Sequence, residues 1–262
     1  GLTSVSSLSI AKSVTEIGAW AIDVSGINEF QVESGNPSFK LIDGVLFSAD
    51  GTTLIGYPCG KEEVDSYTVP DGTETISNGA FTGCKIKELT FSDSVSNVGT
   101  WMFGSNSTIE AVHFGTGIQS IGRGVFSGTA SLKTVTFPEK VSDLSIGAQA
   151  FQGTGITELT LPSGVKEVGS QAFKNCKSLK TLNFLGSSAG LTMGSQTFQN
   201  NTSLESVILP EGISGIATQG FADCSSLTEV SFRGSSNNLV IGGQAFSGCR
   251  GLSSITLPEG IK

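Results

Sequence analysis

A phenylalanine recurs along most of this chain at a spacing of 22 to 25 residues. A period of this length is typical of repeat proteins, in which each repeat forms one supersecondary unit. One such unit cannot bury its apolar side chains alone, so neighbouring units must stack and share a continuous core. We call the recurring residues the anchor residues; they are Phe81, Phe103, Phe126, Phe151, Phe173, Phe198, Phe221 and Phe246, with Ile22 as an earlier, degenerate copy.

Other positions keep a fixed distance from the anchor residue. The position five residues earlier is apolar in every copy, and a glycine follows it in most of them. After the anchor comes Leu-x-x-[Leu/Val]-x-[Leu/Phe], as at Leu179, Leu182 and Phe184, whose last positions alternate as in a half-buried strand. The short piece before the anchor, such as residues 170–173, predicts one helical turn. Each repeat is therefore predicted to combine a strand, a glycine and one helical turn.

The repeats resemble a known family. Runs of the form IGxxAFxxCxxLxxLxLP, clearest from Val168 to Phe184 and from Ile241 to Pro258, are similar to the BspA-type repeats of leucine-rich-repeat proteins of bacterial surfaces. The resemblance covers nearly the whole chain. It implies an α/β, β-dominated, right-handed leucine-rich-repeat solenoid (a horseshoe) of about nine coils, with a parallel sheet on one face. We expect residues 1–262 to form a single domain.

The repeat is interrupted between Ile22 and Phe81, where the chain holds an insertion at about 33–70. Two Asp-Gly pairs, beginning at Asp43 and Asp50, separate β-rich runs and indicate tight hairpin turns. They predict a three-stranded meander at about 39–42, 45–48 and 53–57. A similar NPxFxxIDGVLF…LIxYP block occurs in the BspA-type family. We expect the meander to pack on the edge of the solenoid without forming a separate domain.

Four of the five cysteines share the column three residues after the anchor, which asparagine and threonine fill in other repeats. All three residue types can hydrogen-bond an adjacent backbone group, so we interpret the cysteines as structural thiols. Cys-x-x-Cys spacing is missing and there is one histidine, which argues against a metal site. We predict no disulfide within this column, and the fifth cysteine, Cys59, has no column partner. The cysteines of the column are Cys84, Cys176, Cys224 and Cys249; Cys224 and Cys249 are on adjacent coils and could form a disulfide. The same column holds Asn106, Thr129, Thr154 and Asn201 in other repeats.

The column two residues before the anchor is also distinctive. Five successive glutamines there could form a ladder of amide hydrogen bonds, or they could simply be solvated side chains on a turn. Both interpretations stay open at the level of sequence. The column reads Trp20, Gly79, Trp101, Gly124, Gln149, Gln171, Gln196, Gln219 and Gln244.

The solvent-facing positions of the predicted strands provide the candidate binding surface. They are rich in Ser and Thr with spaced acidic residues, and they lack the aromatic residues that often anchor a partner. A merely solvated sheet face is the competing interpretation. Acidic residues at 29, 88, 158 and 229 share one column, which predicts a negative field there. The candidate binding residues are Glu29, Glu88, Thr90, His113, Thr134, Thr136, Glu158, Thr160, Asn183, Glu229 and Ser231.

Composition and motifs exclude several classes of function. The net charge of −8 and the scattered basic residues argue against nucleic acid as a partner. No run of about 18 apolar residues predicts membrane insertion. The single histidine, His113, has no nucleophile pattern around it, and neither a G-x-S-x-G elbow nor a phosphate-binding loop is present. The sequence therefore predicts neither catalysis nor a cofactor.

The resemblance implies a cell-surface or secreted module that binds an extracellular protein, since BspA-type proteins are associated with adhesion to host matrix proteins and other cells. A structural spacer that projects another domain is the alternative. We expect an extracellular or cell-surface location, with the signal or anchor outside this sequence. We also expect an uncapped C-terminal coil after Leu257, which could associate end to end with another copy.

Overall fold

The computed structural model describes residues 5–18, 20–22, 24–60, 62–103, 108–236 and 239–258. The chain winds into a β-solenoid of about ten coils, most of which contribute a strand to a first side, a strand to a second side and a set of tight turns to a third side. The predicted β-dominated repeat fold is confirmed, and the coil number is close to the expected nine. In the described residues the one helix is a 3-10 turn at Val24–Gly26.

The first side is formed by the strands of the Leu-x-x-Leu-x-Leu pattern, and we call its outward surface the strand face. Its strands pair in parallel as two successive four-stranded sheets, with no pairing between the fourth strand and the fifth. The first sheet holds β6 (Val64–Thr68), β8 (Ile86–Thr90), β10 (Ala111–His113) and β12 (Thr134–Thr136). The second sheet holds β14 (Glu158–Leu161), β16 (Thr181–Phe184), β18 (Ser206–Leu209) and β20 (Glu229–Phe232).

The second side is a nine-stranded sheet that begins with the meander, and two further strands follow it as a pair. The meander strands lie where the sequence predicted them and pair antiparallel; the third then pairs in parallel with the first repeat strand, Leu54 opposite Ile76. The meander is therefore the start of this sheet. The strands are β3 (Phe39–Ile42), β4 (Val45–Ser48), β5 (Thr53–Gly56), β7 (Thr75–Ile76), β9 (Asn97–Val98), β11 (Ser120–Ile121), β13 (Lys140–Ile146), β15 (Ser163–Val168), β17 (Thr192–Met193), β19 (Gly215–Ile216) and β21 (Val240–Ile241).

The two ends of the chain depart from this regular pattern. At the N-terminus, β1 (Ser7–Ile10) and β2 (Glu29–Val32) form a separate parallel pair. At the C-terminus, the strand expected at Leu252–Leu257 does not form, and the described residues from Leu252 to Pro258 have no regular secondary structure. Residues 259–262 lie outside the described part of the chain, so the uncapped C-terminus stays a prediction.

The third side consists of turns that are linked from coil to coil, and the predicted helical turn is wrong. The backbone N–H of Gln171 donates to Ser195 O at 3.0 Å, and that of Phe173 donates to Thr197 O at 2.9 Å. Gln171 has a φ of 61°, a conformation that a right-handed helix excludes and that suits the third residue of a type II turn. The turn prevails because it lets alternate N–H groups bond to the next coil.

The glutamine column forms the amide ladder. Each side-chain amide donates to the next one along the solenoid, at 3.2 Å from Gln149 to Gln171 and at 2.7 Å from Gln171 to Gln196. The ladder continues to Gln219 at 2.8 Å and to Gln244 at 3.0 Å. The hydrogen-bonded interpretation of this column is thus confirmed.

The core is built around a stack of aromatic rings, and the predicted burial of the anchor residues is confirmed. The anchors from Phe81 to Phe221 are fully buried, while Phe246 in the last coil is half-buried. Successive rings from Phe81 to Phe246 lie 5.0 to 5.6 Å apart between centroids. Tyr57 of the meander stacks on Phe81 at 5.5 Å, so a residue of the insertion begins the stack.

The cysteine column is structural, with one correction. Cys176 Sγ donates a hydrogen bond to Phe151 O of the preceding coil at 3.1 Å, as expected for a structural thiol that bonds a backbone carbonyl. Burial raises the pKa of the Cys176 thiol to about 11. However, Cys59 forms a disulfide with Cys84, although no column partner for Cys59 could be identified in the sequence. The partner exists because the end of the meander folds against the first phenylalanine coil. Cys176, Cys224 and Cys249 are free, and Asn106 lies outside the described residues.

Candidate binding surface

The strand face places its outward side chains in two straight columns, because parallel strands pair in register. In the first sheet, Glu88 lies opposite Ala111, which lies opposite Thr134. In the neighbouring column, Thr90, His113 and Thr136 lie opposite one another in the same way. Five of the predicted binding residues therefore form one patch.

The second sheet continues both columns. One runs from Glu158 through Thr181 and Ser206 to Glu229. The other runs through Thr160, Asn183, Ile208 and Ser231. The remaining predicted residues, apart from Glu29, thus form a second patch that follows the first along the solenoid.

Glu29 does not join either patch, which corrects the predicted acidic column. It lies on β2, paired with β1, and its carboxylate accepts a hydrogen bond from Gln31 Nε2 at 3.4 Å. The strand that precedes Glu88 in the sheet is instead β6, which places Ser66 opposite Glu88. The separation arises because the meander comes between β2 and the first strand of the face.

His113 connects three coils of the first patch. Its Nε2 lies 3.3 Å from Glu88 Oε1, and its Nδ1 lies 2.7 Å from Thr136 Oγ1. The side chain is half-buried and points outward from the strand, as the sequence indicated. The contact with His113 engages the carboxylate of Glu88. In the second patch, Glu158 and Glu229 form no ion pair with any described residue.

A cleft of about 330 Å³ opens where the two sheets of the strand face meet, between β12 and β14. Thr134 and Thr136 form one wall, and Glu158 and Thr160 form the other. Leu185 and Phe137 also line the cleft, together with Lys133. The break in pairing between β12 and β14 lies beside two register shifts in the pairing of β13 with β15 on the second side. The cleft brings four of the predicted residues around one concave, partly apolar space.

A second cleft of about 390 Å³ lies beside β20, where the described strands of the face end. Glu229 and Ser231 line it with Phe232 and Leu257. Near the same end, Arg233 donates from Nε to Phe184 O at 2.6 Å and from Nη2 to Asn183 Oδ1 at 2.9 Å. The amide of Asn183 is therefore held by the protein itself.

Sequence reasoning missed Ser66 and Thr68, which extend both columns of the first patch by one strand. Val64, Tyr67 and Val69 have the spacing of the Leu-x-x-[Leu/Val]-x-[Leu/Phe] pattern, which is a usable signal, but they lie within the predicted insertion at about 33–70. Sequence also could not reveal the clefts, because they depend on how adjacent coils pair.

In the part of the chain that the structure describes, no three side chains of His, Cys, Asp or Glu come close enough to hold a metal ion. The same part of the chain contains no helix of the length and apolarity that a bilayer crossing requires.

The repeats decide the family. The family profile described as BspA type leucine rich repeat region matches six copies, over residues 57–145 and 144–262. This chain belongs to the BspA-type leucine-rich repeat family. No curated protein matches the chain.

Solved structures share the fold of this BspA-type protein. A leucine-rich repeat protein from Eubacterium ventriosum is similar with 23% identity and a TM-score of 0.69, over 98% of this chain and 61% of that one. The pneumococcal vaccine antigen PcpA has 24% identity and a TM-score of 0.62, over 90% of this chain and 56% of its own. A leucine-rich repeat protein from Bacteroides ovatus has 22% identity and a TM-score of 0.56, over 96% of this chain and 75% of that one. This BspA-type chain thus spans about three fifths of the first two.

Proposed function

We propose that this BspA-type protein is a non-catalytic module at a bacterial surface that binds an extracellular protein through its strand face. The observation that carries the proposal is the cleft between β12 and β14. It joins two patches of outward polar side chains and exposes apolar wall residues between them. Concave, partly apolar spaces with a few polar groups are where proteins bind ligands.

Rigidity supports the same function. The outward side chains stand on paired strands, and the coils beneath them share one core of stacked rings. A surface that is already ordered loses little conformational entropy when a partner binds. Glu158 and Glu229 favour a partner with basic groups, which would make association dependent on salt.

The cysteines support a location outside the cytoplasm. The Cys59–Cys84 disulfide is the kind of bond that persists in oxidising compartments. The three free thiols are buried, so they would not exchange readily with it. The family and a similar structure that is named as a vaccine antigen agree with exposure at the cell surface.

The test is a binding screen of the purified chain against a panel of extracellular matrix proteins, followed by charge reversal. We expect Glu158→Lys with Glu229→Lys to weaken binding about tenfold, equivalent to about 1.4 kcal/mol, and to reduce its salt dependence. The matched control is Glu167→Lys, an exposed glutamate of the same coil as Glu158 that lies on the second side.

Equal binding by wild type and the charge-reversed protein would remove the strand face as the contact surface. An absence of binding to every member of the panel would favour the structural spacer, which needs the fold but no partner.

A further inference from the structure

We propose that the protein has a second binding site, for a neutral carbohydrate, in a groove between its N-terminal segment and the second side. The site is distinct from the strand face and does not depend on the proposed function. The aromatic residues of the proposed site are Trp20 and Trp101, the two tryptophans of the chain.

The groove encloses about 450 Å³. Ile17, Trp20 and Ile22 of the N-terminal segment line one wall, and the sheet of β7, β9 and β11 forms the floor with Asn97 and Ser120. The space arises because the meander strand β5 takes the sheet position next to β7. The N-terminal segment therefore remains outside the sheet, although the repeat pattern alone would place Ile17 within it.

Trp20, in the wall of this groove, is 52% exposed. It lies directly over Gly79: a Cβ on that glycine would come within 2.5 Å of Trp20 Cζ3. Glycine at this position thus permits the ring to lie against the backbone, with its remaining surface open to solvent.

Trp101 repeats the arrangement further along the solenoid. It is 39% exposed, and a Cβ on Gly124 would come within 2.6 Å of its ring. Trp20 and Trp101 belong to the same column with one coil between them, so the rings are roughly 10 Å apart at the usual strand spacing. A ligand that leaves the groove along the solenoid axis would meet the second ring.

The chemistry of the lining selects the class of ligand. None of the described residues that line the groove is charged, although charged residues make up 15% of the chain. A phosphate or carboxylate ligand would lack the cation that binding such groups requires. The groove therefore suits an uncharged molecule.

Polar groups in the groove argue for a sugar over an apolar ligand. Within the described part of the chain, the side chains of Thr75, Asn97 and Ser120 form no hydrogen bond with other protein groups. An apolar ligand would bury these groups without partners, at a cost in free energy. A pyranose ring offers hydroxyls to them and an apolar face of C–H groups to an indole, which favours contact with its π-face.

The experiment uses intrinsic fluorescence, because both tryptophans belong to the proposed site. The purified chain is titrated with maltopentaose, cellopentaose, chitopentaose and mannopentaose, and with a decaproline peptide. We expect a saturable change in tryptophan emission with at least one of the four sugars and none with the peptide. Calorimetry then measures the affinity of variants for that sugar.

Trp20→Ala and Asn97→Lys should each lower the affinity at least tenfold, and Trp20→Phe should lower it less. Thr192→Lys is the matched control, since Thr192 is an exposed outward residue of the same sheet, and it should bind like wild type. Thermal unfolding confirms that each variant is folded. The proposal is overturned by no saturable change with any of the sugars, by a response to decaproline alone, or by unchanged sugar affinity in Asn97→Lys.

Discussion

At the scale of single residues, the glutamine column shows how a repeated side chain supports an unusual backbone conformation. Glutamines from Gln149 to Gln244 adopt φ values of 57° to 61°, a region that side chains other than glycine seldom occupy. Each has an amide that bonds to the neighbouring coil, and Arg123 closes one end by donating to Gln149 Oε1 at 2.9 Å. The hydrogen bonds offset the backbone strain.

Substitutions at Gln196 separate these two contributions. Gln196→Ala loses both ladder bonds and keeps the strain, so we expect the free energy of unfolding to fall by about 1–2 kcal/mol. Gln196→Gly loses the same bonds but relieves the strained φ, so it should be the more stable of the two variants. Urea unfolding measures both. An alanine variant as stable as the glycine variant would show that the strain is negligible.

The anchor residues make the complementary argument for the core. Phe173 is fully buried and stacks on Phe151 at 5.0 Å and on Phe198 at 5.3 Å. Phe173→Ala should therefore lower the free energy of unfolding by about 3–5 kcal/mol, the usual cost of removing a buried ring. Ile208→Ala, at an exposed apolar residue of the strand face, is the control and should change stability little. A small effect at Phe173 would contradict the stacked core.

At the scale of elements, the meander is joined to the repeats by three kinds of contact. Leu54 pairs with Ile76 in the sheet, Tyr57 begins the ring stack, and Cys59 is bonded to Cys84. These contacts attach the insertion to the first phenylalanine coil.

Reduction of the disulfide tests this attachment. The bond joins residues that are 25 apart, so losing it should destabilise the protein by about 3.5 kcal/mol through a less restricted unfolded state. The melting temperature with and without reductant measures the effect. Peptide mapping under non-reducing conditions should recover Cys59 linked to Cys84, whereas Cys176 should alkylate only after unfolding. Recovery of all five thiols in their free form would refute the bond.

At the scale of the whole molecule, the solenoid is held by contacts between neighbouring coils. Most strands of each side pair in parallel with strands of adjacent coils, and the turn side adds backbone hydrogen bonds from coil to coil. Stability should therefore behave as a sum of coil and interface contributions.

Deletion of one whole repeat, residues 174–198, tests this additivity because it joins Phe173 to the position that follows Phe198. Each column keeps its register, so we expect a folded, shorter solenoid with a lower melting temperature. Deletion of residues 174–185 alone is the control: it shifts every later side chain out of its column and should abolish the cooperative transition. Circular dichroism follows both. Similar behaviour of the two deletions would argue against the register.

The sequence by itself determined the repeat, the inward columns and the meander, because a fixed period and two Asp-Gly turns leave little choice about which side chains face the core. It also determined which outward residues share a strand, such as Thr134 with Thr136. In each case the information is local, within one coil.

Only the tertiary structure decided how coils meet. The positive φ of Gln171, which replaced the predicted helical turn, is favoured by hydrogen bonds to the next coil. The Cys59–Cys84 bond, the separation of Glu29 from Glu88 and the cleft between β12 and β14 likewise depend on which strands become neighbours. Residues about one repeat or more apart in sequence create these features, and a column pattern does not specify the pairing around an insertion.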